Sequence, residues 1–336
     1  MCSLSDGMKT DRGGKDRKIM ARKVWTKPWS LLEGTIIAGG LVMAGLMLEL
    51  VAGPVNWEAF AWPVNVIILV VFLLLIVLFR LLKGSVYAFH FLCTYRAAVP
   101  ALGFAVVLTL IMGLTRQTVD GTWIFNMLSF WPFVLIYVYI AFILGLAVAR
   151  RVSHFHWRRD IPFLFNHVGL FIALTTSTLG NADMQRMKMI TTVGETEWRA
   201  LNQQNKVEEL PLAIELKRFI MEEYDDGSPK RFASEVLILT RSGEKIQTVV
   251  EVNKPVEVEG WKIYQYGYDM TKGAMSQVSI FELVSDPWLP VVYAGIYMML
   301  FGSLLLLFMA NRVRRESSHH SHHHSHHHHH HQQQID

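Results

Sequence analysis

Six stretches of about twenty apolar residues recur along this chain: Leu31–Ala52, Val64–Leu82, Ala97–Leu114, Phe130–Ala149, Ile161–Gly180 and Trp288–Ala310. Twenty helical residues rise about 30 Å, the thickness of the hydrocarbon core of a bilayer. A helix that is apolar on every side is stable only inside a large core or in lipid. Residues of the apolar types make up 51% of the 336, and mean hydropathy is +0.27. The expected fold class is therefore a polytopic α-helical membrane protein of about six transmembrane helices. The first run starts at Leu31, is too long for the apolar core of a signal peptide and has no small-residue cleavage site behind it. It is expected to remain as a transmembrane helix.

Basic residues alternate between the connections, and this sets the orientation. Lys9, Arg12, Lys15, Arg17, Lys18, Arg22, Lys23 and Lys27 precede the first run; Arg80, Lys83 and Arg96 lie between the second and third. Arg150, Arg151, Arg158 and Arg159 separate the fourth and fifth, and Arg312, Arg314 and Arg315 follow the last. The opposite short connections hold only Arg116. Positive charge favours the cytoplasmic side, so both termini are expected inside and the segment 181–287 outside. Trp57, Trp62, Trp123, Trp131 and Trp288 then fall at the outer interface, where aromatic belts form. The division that follows is a basic cytoplasmic segment, 1–30; a membrane domain of five helices, 31–180; an outer domain, 181–287; a sixth helix, 288–311; and a cytoplasmic tail, 312–336.

The outer domain is expected to be β-rich and to sit between the last two helices. "RFASEVLILT", "KIQTVVEV", "GWKIYQYGYD" and "SQVSIFEL" are short, partly alternating runs rich in Val, Ile, Tyr and Trp, separated by turn residues. In its first half, 181–226, "PLAIELKRFIMEEY" fits a helix and a strand equally. The tail, "SSHHSHHHSHHHHHHQQQID", is a low-complexity stretch, natural or an added tag, that could take up divalent metal weakly. Two cysteines, Cys2 and Cys93, exclude a disulfide framework, a zinc ribbon and any CxxC haem-attachment motif.

One candidate stands out inside the apolar runs. His167, in "FLFNHVGLFIALTTSTLG", places an imidazole about two turns inside the cytoplasmic end of the fifth helix. Ionisable groups in such helices are costly and face protein or water-filled interior. A neutral imidazole can bind haem iron through one nitrogen while the other donates a hydrogen bond, or it can bond a neighbouring helix and do no chemistry. The span alone leaves both readings open. Thr178 lies within about 20° of the same helical face and Thr175 on its flank, and Gly169 would allow close approach. His154 and His156, between arginine pairs in "RRVSHFHWRRD", are weaker candidates for an anionic ligand such as a haem propionate. Such basic clusters more often meet lipid head groups or set topology. His90 is weaker still, and Glu49 is expected at the outer interface. No catalytic triad, P-loop or zincin motif is present.

The stretch "FASEVLILTRSGEKIQTVVEVNKPVEVEGWKIYQYGYD" (Phe232–Asp269) resembles the signature region of the ResB (CcsB) family of System II cytochrome c biogenesis. A "VN-x-P" turn, here Val252, Asn253 and Pro255, leads into "G-x-x-x-YQ-x-x-Y", here Gly260, Tyr264, Gln265 and Tyr268. "SPKRFASEV" before it and "DPWLPVVYAGIYMMLFGSLLLLF" after it are similar to the family's lead-in and closing helix. The resemblance runs over about Ile161 to Arg315. It implies a subunit of the inner (cytoplasmic) membrane that pairs with a CcsA (ResC) protein, carries non-covalent haem b across the membrane and presents it to apocytochrome c. A thioredoxin-like thiol reductant and membrane lipid are further expected partners, and nucleic acid is not. The family's haem-ligating histidine, in the helix before the outer domain, corresponds by position to His167. His154 and His156 remain weak haem contacts, and any cytochrome c synthase activity would belong to the complex. The "WWD" segment of the partner is absent here, so this chain resembles the ResB half alone. Tyr264, Tyr266 and Tyr268 read as strand packing. Rival readings are a cytochrome b-like redox subunit, which would need a second in-span histidine, and an assembly scaffold without haem.

Overall fold

The computed structural model describes residues 23–330, with side-chain surroundings up to residue 318. Cys2 and the basic residues from Lys9 to Arg22 lie outside the described residues, as do 331–336. Among the described residues, seven α-helices and eight strands follow in chain order: α1 (Leu31–Ala52), α2 (Val64–Leu82), α3 (Tyr87–Leu92), α4 (Tyr95–Leu114), α5 (Trp131–Ser153), α6 (Trp157–Gly180), strands β1–β8, and α7 (Leu289–His330). Six of these helical segments are long and apolar enough to cross a membrane. The exceptions to the expected boundaries are polar turns that fold as helix. α6 starts at Trp157 instead of Ile161 because the Asp160 carboxylate accepts the His156 backbone N–H at 2.8 Å and so closes the first turn. α7 runs on through Arg312–Arg315 into the histidine tail.

Two compact units divide the chain. The first holds residues up to Asn56, 70–171 and those from Gly302 on. Its α1 opens with a capping box: the Ser30 side chain accepts from Leu32 N–H at 3.3 Å, and Glu33 accepts the Ser30 N–H at 2.8 Å. Phe91, from the short helix α3, is fully buried with Ala97 and Ala101 of α4 and Ile143 of α5. Outward, these helices present apolar side chains: Leu50, Val51, Leu81 and Leu114 are among the most exposed residues of the chain. A surface of that kind needs a non-aqueous neighbour.

The second unit, 57–69 with 172–301, is built on one antiparallel sheet of order β5-β4-β3-β2-β1-β8-β7-β6. Its strands are β1 (Gln185–Thr192), β2 (Thr196–Leu201), β3 (Val207–Glu223), β4 (Pro229–Thr240), β5 (Lys245–Glu251), β6 (Val256–Val258), β7 (Trp261–Tyr268) and β8 (Val278–Ser285). The ambiguous "PLAIELKRFIMEEY" is strand. Leu210, Leu212, Ile214 and Leu216 alternate inward; a bulge between Leu216 and Arg218 then shifts the phase, and Phe219 takes the next inward place. The sheet curls over a shared interior of Met189, Ile214, Ile238, Ile263, Phe281 and Leu283.

Inside that interior lies a small polar group. The Ser234 hydroxyl of β4 donates to the Gln265 side-chain oxygen of β7 at 2.6 Å and sits 2.7 Å from the Ser279 hydroxyl of β8. Gln265 Nε2 donates to the Gly267 carbonyl at 2.9 Å. Removing one partner strands another in a dry core. Ser234→Ala is therefore expected to destabilise the chain by about 1–3 kcal/mol, measured by denaturant unfolding. Ser242→Ala, at an exposed turn, should cost less than half as much.

Asp183 fastens the base of the second unit. Its carboxylate accepts the Trp62 N–H at 2.8 Å, the Asn65 amide at 2.7 Å and the Trp288 indole N–H at 2.7 Å. Asn65 also donates to the Leu179 carbonyl at 3.2 Å. Thus the start of α2, the end of α6 and the start of α7 meet on one side chain. Trp62 is 67% exposed, as a belt residue would be, whereas the Trp288 indole N–H has this fixed acceptor.

Candidate functional site

The earlier start of α6 moves His167 deeper. It is the eleventh residue of the helix, about 15 Å from Trp157 and so nearer three turns in than two. Its Nδ1 lies 2.9 Å from the carbonyl oxygen of Phe163, one turn back. A carbonyl only accepts, so a bond here has Nδ1–H as its donor, and in the neutral form of the ring this leaves the lone pair on Nε2. That tautomer is the one a metal-binding histidine needs, with the far nitrogen anchored and the near one free to coordinate.

The ring is held from one side by a stack. Phe163 lies over His167 with centroids 3.8 Å apart and planes 20° from parallel. The Arg151 guanidinium sits 4.2 Å from the centroid of the same Phe163 ring. Arg151 is in turn fixed by Asp160, whose carboxylate accepts from Arg151 Nη1 at 2.8 Å and Arg159 Nε at 3.2 Å. The Asp160 side chain is fully buried while both arginines stay partly exposed. A chain of contacts therefore runs from the basic turn to the imidazole: Asp160, Arg151, Phe163, His167.

Helix α7 reaches the neighbouring turn. A methyl group added at Gly302 would fall into the backbone of Asn166 and the carbonyl of Pro162, so only glycine allows this approach. Ser303, the next residue, bonds the Asn166 amide at 2.6 Å. The close contact beside His167 thus comes from Gly302, a residue the sequence does not single out. The two threonines expected on or beside the face of His167 bond their own helix: Thr175 the Ile172 carbonyl and Thr178 the Leu174 carbonyl.

The other candidates are dispersed. His154, the C-cap residue of α5, and His156 are both exposed, and of the four flanking arginines Arg151 and Arg159 are occupied by Asp160 while Arg150 bonds the Cys93 carbonyl at 3.3 Å. His90 is exposed on α3. Glu49, near the end of α1, is buried: its carboxylate accepts the Trp131 N–H at the start of α5, 3.2 Å away, where the helix dipole favours negative charge. Among the described residues, no three His, Cys, Asp or Glu side chains gather as a metal-ion cluster. His167 stands apart from any such cluster.

The signature residues of the sheet are explained by their backbone and core. Asn253 (φ 65°) takes the left-handed conformation in the turn after β5. Glu259 and Gly260 are both left-handed, at φ 47° and 81°, and close the two-residue hairpin between β6 and β7. Gln265 is the buried hydrogen-bonding residue described above. Tyr268 packs between Phe219 and Phe232, with ring centroids 5.2 and 5.0 Å away. Tyr264 and Tyr266 alternate onto the outer face of β7.

Comparison with known proteins gives three likenesses. Residues 156–280 match the model of the ResB-like family. A stretch of 116 residues is 30% identical to the cytochrome c biogenesis protein CcsB of Prochlorococcus marinus, covering 34% of this chain. It spans 26% of that relative's length. The solved cytochrome c haem lyase CcmF overlays 84% of this chain and 46% of its own at 17% identity, with a TM-score of only 0.34. The matched family segment contains His167, the Asp160 turn and the strand signature from Phe232 to Asp269. The likeness of this chain to the ResB (CcsB) family, first legible in that signature, therefore holds over residues 156–280.

Proposed function

We propose that this chain is a multi-pass subunit of a cytochrome c biogenesis complex, and that it handles haem through His167. The observation that carries the proposal is the 2.9 Å contact of His167 Nδ1 with the Phe163 carbonyl on an apolar helix; in a neutral imidazole this geometry leaves Nε2 as the ligating nitrogen. The family likeness of residues 156–280 supports the biogenesis setting. The exposed apolar sides of the helices support membrane insertion, and the alternation of basic connections supports cytoplasmic termini with 181–287 outside.

In this reading haem b is cargo, and His167 supplies one axial ligand to it. The other ligand comes from a histidine of a CcsA (ResC) partner. Phe163 fixes the plane of the imidazole and excludes water from one side. Arg151, pinned by Asp160, places a positive charge against the Phe163 ring and favours an anionic or electron-rich ligand over a cation. The β-rich unit shapes the exit site or docks apocytochrome c, with a thioredoxin-like protein keeping the acceptor cysteines reduced. His154 and His156 serve at most as peripheral polar contacts.

Asp160 is a positioning residue here. Asp160→Asn is expected to loosen Arg151 and lower haem retention by about tenfold, the usual scale for the partners that orient a ligand. The check is haem content per complex by pyridine haemochrome, set against Arg158→Gln, which should leave haem unchanged. The proposal itself is tested by co-purifying the chain with its CcsA-type partner and quantifying haem the same way. Stoichiometric haem is the expected result; a folded, haem-free complex would favour the scaffold reading.

A further inference from the structure

Where β8 runs down into α7, the outer face of the sheet and the first turns of the helix enclose a pocket of about 580 Å3. Strand register arranges its floor. Arg186, Val284, Lys262 and Glu257 lie side by side across β1, β8, β7 and β6, and the next row places Lys188, Glu282 and Tyr264 together. Strands are about 4.8 Å apart, so Arg186 and Lys262 stand about 10 Å from each other, with Val284 between them and Glu282 on the adjacent row of the same central strand. Arg186 bonds Glu282 at 2.5 Å. Asp286 lines the end of the pocket next to the helix; burial pushes its carboxyl up, and N–H groups of Trp288 and Leu289 oppose that shift. Tyr293 forms the helix wall, and from it Tyr297 and Leu300 continue an exposed stripe along α7.

We infer that this pocket holds the head group of a zwitterionic phospholipid: its phosphate between Arg186 and Lys262, its ammonium against Glu282, Asp286 and the tyrosine rings, its acyl chains along Tyr297 and Leu300. The inference rests on the reading of α7 as a membrane span. Both charge signs are needed to fill the site. An anion alone would meet three carboxylates, Glu257, Glu282 and Asp286, against two cations, and a cation alone would meet Lys262 and an Arg186 already bonded to Glu282. Tyr264 and Tyr293 suit an ammonium, which aromatic faces attract. The stripe on α7 begins where the head group ends, which is the arrangement a lipid needs and a soluble phosphate does not.

The test uses the full chain purified in detergent, stripped of lipid and titrated by native mass spectrometry with phosphatidylethanolamine or phosphatidylglycerol. Phosphatidylethanolamine is expected to bind about tenfold tighter, the worth of one charge-assisted contact. The double variant Arg186→Ala, Lys262→Ala should lose both lipids. Glu282→Gln with Asp286→Asn should erase the preference while keeping phosphatidylglycerol; asparagine keeps an acceptor oxygen for the Trp288 and Leu289 N–H groups. Equal binding of the two lipids by the parent overturns the inference. So does displacement by inorganic phosphate as effective as by lipid, or protection of Tyr264 from hydroxyl-radical labelling by apocytochrome peptide and not by lipid. Failure of the membrane reading is separable: it would appear as release of the chain from membranes by alkaline carbonate, before any lipid is added.

Discussion

Replacing His167 with alanine is expected to reduce covalent haem on c-type cytochromes on the order of 100-fold, in cells that depend on this chain and its partner. The substitution removes the lone pair at Nε2 and leaves the fold largely intact, because the imidazole bonds only its own helix through Nδ1. Two companions separate ligation from packing. His167→Gln can still donate to the Phe163 carbonyl but offers iron no strong ligand, and it should fail as alanine does. Imidazole added to the alanine variant can occupy the vacated space and should restore part of the activity. A glutamine variant with full activity would assign His167 a structural role. Haem staining of the accumulated cytochromes reads all three.

Asp183→Ala is expected to give the largest loss of stability, about 3 kcal/mol. The change strands three donors at once: the Trp62 N–H, the Asn65 amide and the Trp288 indole N–H. Each stranded buried donor costs roughly 1–3 kcal/mol, with Trp62 at the low end because water reaches it. Asn65 is completely buried and has only the Leu179 carbonyl left. Asp183→Asn keeps one acceptor oxygen and should lose about half as much. Denaturant unfolding followed by tryptophan fluorescence is the direct reading, since two of the three donors belong to tryptophans. A loss no greater than that of the exposed Asp225→Ala would mean that Asp183 does not secure the base of the second unit.

How much of this was legible in the sequence depended on whether the signal was local. α1 and α2 have the boundaries read from the sequence because punctuation marks them: Ser30 with Glu33 opens α1, and Gly53 and Pro63 bracket the connection. The start of α6 was missed because Trp157–Asp160 looks like a charged loop until Asp160 turns its carboxylate onto the helix end. The sequence of β3 stays ambiguous because the bulge at Lys217 breaks its alternation midway, so a period of two and a period near four fit equally. His167 was visible as a polar residue in an apolar run, and its i, i+4 spacing from Phe163 follows from helix geometry. Arg151 over Phe163 was not, since it requires the chain to reverse at His154. The Asp183 junction was invisible for the same reason on a larger scale: its partners lie 105 to 121 residues away.

The most direct measurement is the absorption spectrum of the complex purified with its CcsA-type partner, parent beside His167→Ala. A Soret band in the parent that weakens or shifts in the variant, and recovers its position with added imidazole, is the predicted result and places His167 at the iron. A haem-loaded variant whose spectrum equals the parent's would contradict the account, leaving His167 as a packing residue and the haem ligands on the partner.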